Sequence, residues 1–280
     1  MTFIDFILDI AALVLWLSWR GLRFDPLVKT SPASLVGALK RAEPIRFRGW
    51  HFLVALSGLL IVRGWLYWQI GPALDWVPNL RLGAISLFFR SDRLVRMMLF
   101  SALSFGLTLS VFYLWLLLLS LVNSRRADSD PVQRMIRLHL GWIDRSPWPV
   151  KLLLPLVAVS LVWLALNPVL TETNLIQPGL SRTHKVEQAI VIALGAYLAW
   201  EYLIGGLLLL CLVTTYVYLG TNSFWNFIAL TSDNLMLPLR WAPFRVGKVD
   251  FAPVMAIAVL FFVGQIAQHA LTALYARLPL

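Results

Sequence analysis

Charge is what this sequence lacks. Of its 280 residues only 14% are Asp, Glu, Lys or Arg, and 59% are hydrophobic, whereas an ordinary soluble domain carries about 25% charged residues. With a mean hydropathy of +0.76, 13 Trp and 16 Phe, a water-soluble globule would expose apolar patches over its whole surface. That excludes a soluble globule and a disordered chain. Cysteine is almost missing as well. Cys211 alone excludes an intrachain disulfide and a cysteine-built zinc site. There is no Gly-x-Gly-x-x-Gly, no Walker-type Gly-Lys-Ser/Thr and no His-Glu-x-x-His, and nothing local favours a Ser-His-Asp constellation. The sequence therefore predicts no enzyme. The net charge is +10, yet no run of five or more basic residues occurs, so nucleic acid is not an expected partner.

Long apolar runs are what the chain does have. Six are visible: Phe3–Trp19, Phe52–Gly71, Met97–Leu121, Leu152–Leu170, Gln188–Leu219 and Phe251–Leu274. Crossing a hydrocarbon core takes about 20 helical residues. The expected fold is an all-α polytopic membrane protein of about six transmembrane helices, with short amphipathic interfacial helices in its linkers. The first run carries Asp5 and Asp9, and either a span or a surface helix fits it. It ends in Trp19-Arg20 without basic residues in front, unlike a signal peptide. The fifth run is 32 residues, about 48 Å if straight, so it must tilt, protrude or bend, around Gly205-Gly206 or Gly195.

Lys and Arg alternate between loops. Sixteen fall in the loops around residues 20–51, 122–151 and 220–250, against seven in the others. The positive-inside rule then predicts external termini and three cytoplasmic links in a bacterial inner membrane, facing anionic headgroups. Trp65, Trp68 and Trp76 cluster at the outer end of the second run, and Trp142 and Trp148 flank the entrance to the fourth, as interfacial aromatics do.

The two later basic links are the most informative. In the first, Val132, Met135, Ile136 and Leu140 fall on one helical face with Gln133, Arg134 and Arg137 elsewhere, predicting a short amphipathic helix in the interface. The second runs through Leu235, Pro238, Leu239, Arg240, Pro243, Phe244, Arg245, Gly247, Lys248, Asp250, Phe251 and Pro253 into an apolar helix. Pro155 and Pro253 are both expected in the first turns of the helices they begin.

That second link resembles the YggT family of integral membrane proteins, whose repeat joins two spans by an amphipathic linker with a Pro-x-Arg-rich element and an Asp-x-x-Pro entry. Registering Pro155 on Pro253 gives two repeats, 97–170 and 188–275, behind an extra two-helix part, 1–96. The first link lacks the Gly-x-Asp-x-x-Pro element, and Thr214-Thr215-Tyr216 stands where family members often carry an arginine. The resemblance implies a membrane scaffold or assembly factor. Its members are associated with osmotic tolerance, septum or nucleoid organisation, and cofactor attachment during cytochrome assembly. It makes Pro238, Arg240, Pro243, Arg245, Lys248, Asp250 and Pro253 a docking or lipid-contact surface, with other membrane proteins or a second copy as partners; Asp250 also suits a helix N-cap. A transporter or channel using intramembrane charges is the alternative.

Those charges are Asp5, Asp9, Arg63 and Glu201, and ionisable residues inside apolar runs are functional candidates by default. Depth along the runs puts Asp9, Arg63 and Glu201 in the outer half. Arg63 is expected to pair with Asp9 or Glu201, or else to snorkel outward. Asp5 and Asp9, four apart, repel unless one meets Arg63 or protonates. His51 and His139 lie at one border and His184 and His269 at the other. A facing pair could ligate haem or a metal, but interfacial histidines ordinarily bond headgroups or backbone, and no cofactor is expected.

Overall fold

The computed structural model describes residues 2–24, 49–83, 85–123, 131–176, 181–217, 222–237, 245–246 and 249–277. It is helical almost throughout. In chain order the helices are α1 (Thr2–Phe24), α2 (Trp50–Ile70), α3 (Leu94–Val122), α4 (Pro131–Leu140), α5 (Trp148–Glu172), α6 (Arg182–Ala196), α7 (Ala199–Tyr216), α8 (Ser223–Leu235) and α9 (Ala252–Arg277). Among the described residues five stretches are long and apolar enough to cross a membrane: α2, α3, α5, α6 with α7, and α9. The protein is a multi-pass helical membrane protein. Its spans have apolar residues all round, as lipid-facing helices do; Phe261, Phe262, Val263 and Ile266 of α9 are all exposed.

Two compact units are present. The first contains residues 1–78 and 89–109, the second residues 79–88 and 110–280. In the first unit α1 lies along α2, with a core of Ala12, Leu56 and Phe105. Gly64 lets α2 approach α3 closely, since a Cβ there would stand 3.1 Å from the Met98 Cα and 3.3 Å from the Met97 carbonyl oxygen. Trp76 stands edge-on to Tyr67 and to Phe100, with centroids 4.8 and 6.0 Å apart, and Tyr67 is tilted against Phe100 at 6.1 Å.

The second unit is built on α5 and α6, which pack as an antiparallel pair. Ser160 donates to the Ala189 carbonyl at 3.3 Å, and the Tyr197 hydroxyl to the Leu152 carbonyl. Two indoles then lock α3 to α7 reciprocally: Trp115 donates to the Ala199 carbonyl at 2.8 Å, and Trp200 to the Leu114 carbonyl at 3.0 Å. On the linker side α4 packs on α8, where Ile136 and Leu140 meet Phe227 together with Leu116 and Leu117. Both linker helices therefore lie at the same end of this unit. Gly141, with φ +60°, terminates α4 in the left-handed conformation that favours glycine.

The long fifth run is interrupted at one of its two expected places, beside Gly195, by a 3-10 turn at Tyr197-Leu198 whose bonds run Tyr197 to Leu194, Leu198 to Gly195 and Trp200 to Tyr197. Other expectations change. Gly205 lies inside α7, where a Cβ would stand 3.7 Å from the Leu260 and Phe261 side chains of α9. Pro155 is inside α5, which begins at Trp148, whereas Pro253 is at the second position of α9. In α4 the face also differs. Met135 is 46% exposed and Gln133 only 1%, because the helix buries a face centred on Ile136 rather than its most apolar side.

The sequence reading missed an antiparallel hairpin of β1 (Asn79–Leu82) and β2 (Ile85–Phe88) in the second unit. A smaller one, β3 (Arg245–Val246) with β4 (Val249–Asp250), sits before α9 and sets Arg245 opposite Asp250.

Candidate functional site

Asp5 and Asp9 are one turn apart on α1, so both carboxylates leave the same face. That face meets Arg63 of α2. Its Nη1 donates to Asp9 Oδ1 at 2.5 Å, and its Nη2 to Asp5 Oδ1 at 3.1 Å and Ser104 Oγ at 3.2 Å. The Ser104 hydroxyl of α3 donates to the second Asp9 oxygen at 2.6 Å, and the Tyr67 hydroxyl, one turn beyond Arg63, donates to Asp5. The guanidinium also sits 5.5 Å from the Tyr67 ring centroid and 5.6 Å from that of Phe100, within cation–π range.

Arg63 is 2% exposed and Asp9 is buried, so Arg63 does not snorkel. Burial of these charges is tolerable because each is paired and hydrogen-bonded. Two carboxyl groups face one guanidinium, and the Tyr67 and Ser104 hydroxyls donate to them as well. The cluster ties α1, α2 and α3 together and supplies a polar site where the surrounding residues are apolar.

Glu201 has a different setting. It opens α7 in the second unit, and its carboxylate fills the space that a side chain at Gly264 of α9 would take. Its neighbours Ala199 and Trp200 are tied to Leu114 and Trp115, toward the linker end of α3, not the outer end expected from run boundaries.

A second polar cluster was not foreseen. Ser120, at the end of α3, donates to Asp144 at 2.5 Å and accepts from Lys151 of α5 at 2.8 Å, while Arg137 of α4 reaches the other Asp144 oxygen at 3.0 Å. Lys151 and Ser120 are buried. Arg137, Asp144, Arg145, Gly141 and Trp142 line a shallow cleft beside it. Nearby, Asn123 donates to Thr231 at 3.0 Å and accepts from Asn234 at 3.3 Å, joining α3 to α8. The only hint in the sequence was Asp144 as the single acid between Asp130 and the end of α5's first turn.

Of the second link's residues, Pro238, Arg240, Pro243 and Lys248 lie outside the described residues. Arg245 and Asp250 are register partners in the β3–β4 ladder, and Pro253 is buried at the start of α9. The histidines contact backbone carbonyls, a carboxylate and aromatic rings, with His139 edge-on to Phe112 of α3 at 6.0 Å. His139 and His269 each place Nδ1 2.9 Å from the carbonyl one turn back, His184 is 3.2 Å from Glu187, and His51 stacks on Trp50. Among the described residues no group of three or more His, Cys, Asp or Glu is placed to hold a metal.

On α5 the Trp163 indole nitrogen and the Asn167 side-chain oxygen, one turn apart and both in residues 3% exposed, have no hydrogen-bond partner among the described residues. No family model, curated protein or solved structure matches this chain.

Proposed function

We propose that the protein is a non-enzymatic scaffold or assembly factor of YggT type, seated in a bacterial inner membrane with both termini external. The single observation that carries this reading is a repeated order of elements. A long helix, a short interfacial helix and a second long helix occur as α3, α4, α5 and again as α7, α8, α9, and the two short helices pack on one another. Two repeats in the same orientation put their linkers on one side, where they form a joint surface next to anionic headgroups. The proposed site there is the second link, Arg240, Arg245 and Lys248 held by Pro238, Pro243 and Pro253, with a membrane protein or a second copy as partner and no cofactor. The buried charges fit a structural role, because Arg63 and Asp9 already engage one another.

Affinity capture after cross-linking in a mild detergent tests this. A stoichiometric membrane partner should be recovered with the native protein and lost with Arg240→Ala/Arg245→Ala at unchanged protein level. Equal recovery with that double variant would remove the second link from the function. A small-solute or ion transporter or channel using the intramembrane charges Asp9, Arg63 and Glu201 is the second reading. Solute flux in proteoliposomes separates the two.

A further inference from the structure

The linker end of the second unit carries a cleft with unbalanced charge. Gly141, in the left-handed region at φ +60°, stops α4 and turns the chain into the 3-10 segment Gly141–Arg145. That reversal folds Asp144 back onto α4, where its Oδ2 lies 3.0 Å from Arg137 Nε. A cleft of ≈ 350 Å³ opens there, lined by Arg137, Gly141, Trp142, Asp144 and Arg145. Its volume is in the range of small-molecule sites, about 300–1,000 Å³. A Cβ at Gly141 would meet nothing within 4 Å, so the cleft is open beside the turn.

Asp144 does not neutralise what surrounds it. Both its oxygens are taken, Oδ1 by Ser120 and Oδ2 by Arg137. Lys151 stands behind the cleft and is only 3% exposed. An ammonium has three donors, yet among the described residues this one has a single acceptor, Ser120 Oγ at 2.8 Å. Arg145 is exposed on the open side and makes no ion pair among the described residues. Beyond the Arg137–Asp144 pair, Lys151 and Arg145 are therefore two cations without a counter-ion of their own among the described residues. A buried ammonium calls for one.

The surroundings select the anion. Ser120 is two residues from the end of α3 and Lys151 three from the start of α5. Both helices are long and apolar enough to span, so the cleft lies where two spans leave the hydrocarbon. Met135, Leu138 and Trp142 of the same linker are exposed, which gives acyl chains an apolar contact next to the charge. A phosphate monoester carries about −1.5 to −2 at pH 7, matching two surplus cations, and a guanidinium fork suits its oxygens. We propose that this cleft binds the phosphomonoester headgroup of an anionic phospholipid of the phosphatidic acid type. Arg145 contacts the phosphate, and Lys151 supplies charge from behind. The site belongs to the first link and needs only a place in the membrane, so it stands or falls apart from the scaffold reading and its second-link arginines.

Native mass spectrometry of the full chain in detergent tests this, with dioleoyl phosphatidic acid and dioleoyl phosphatidylglycerol as probes. One equivalent of phosphatidic acid should bind about 10-fold tighter than phosphatidylglycerol, the order of one charge-assisted hydrogen bond. Arg145→Gln should remove that preference. Arg134→Gln, at an exposed position of α4 outside the cleft, should keep it. Equal binding of the two lipids overturns the phosphomonoester assignment. A preference that Arg145→Gln keeps, or that both variants lose alike as diffuse attraction to basic residues would require, overturns the cleft. Inorganic phosphate in excess should leave the lipid bound; displacement makes free phosphate the ligand and overturns the lipid assignment. If Arg145→Gln aggregates, as judged by its elution, Arg145→Lys, which keeps the charge without the fork, takes its place with the same expected loss.

Discussion

Arg63 and Asp9 are 54 residues apart in the chain and 2.5 Å apart in space. Removing one member of a buried pair strands the other, at about 3–5 kcal/mol. Arg63→Leu is expected to lower thermal stability in detergent by that order. Adding Asp9→Asn should restore part of the loss, with a coupling of about 1–3 kcal/mol in a double-mutant cycle. Glu201→Gln should be additive with Arg63→Leu, because the Glu201 carboxylate occupies the space at Gly264. Coupling of Arg63 to Glu201 instead of Asp9 would contradict the observed geometry.

Asp144 is the shared acceptor for the Ser120 hydroxyl and Arg137, with Lys151 held through Ser120. Asp144→Ala leaves buried Lys151 without a nearby anion and is expected to cost about 2–4 kcal/mol. Ser120→Ala should cost less, about 1–2 kcal/mol, since it removes hydrogen bonds and no charge. Chemical denaturation in mixed micelles measures both, and the reverse order of effects would make Ser120 the more important partner.

Trp163 and Asn167 give the opposite sign. A buried polar atom without a partner costs about 1–3 kcal/mol, and apolar replacement of similar shape relieves that cost. Asn167→Leu is therefore expected to be neutral or stabilising, by up to about 1 kcal/mol. A clear loss in melting temperature would show that the Asn167 amide is engaged in the membrane-embedded protein.

Topology has its own test. Cysteines at Ser223, the first residue of α8, and at Ser129 in the preceding link should resist an impermeant thiol reagent in intact cells and react after lysis. Cys211 is buried and gives little background. Labelling of either position from outside would invert the orientation.

Helix positions were largely legible because lipid demands long apolar segments. The run Phe52–Gly71 became α2 over Trp50–Ile70, and Met97–Leu121 became α3 over Leu94–Val122. Asp9 and Arg63 were legible as candidates because charge is rare in such runs. Their pairing was not, since Asp9 and Glu201 were equally eligible by depth. The β1–β2 hairpin escaped notice although Leu80 and Leu82, then Ile85 and Leu87, alternate with Arg81 and Ser86 around Gly83. Four-residue strands are shorter than the windows that reveal spans. Polarity sets Gln133 apart from the apolar residues of α4 in the sequence, yet it is buried with Ile136. The Ser120, Asp144 and Lys151 contacts join residues 24 and 31 positions apart, and no local pattern encodes them.

Protein synthesis gives the first two helices an order in time. When α2 emerges, both carboxylates of α1 already exist, while Ser104 is 41 residues from being made. A lone arginine at the centre of an inserting helix costs roughly 2.5–3.5 kcal/mol on translocon scales, but a guanidinium already bonded to Asp9 partitions as part of an ion pair. The two helices are on this account a single insertion unit, released to the bilayer together. A chain begun at Gly49 should leave α2 poorly inserted in glycosylation-site mapping, and Arg63→Leu in that shortened chain should recover insertion. Full insertion of α2 without α1 would show that its apolar length alone carries Arg63 across.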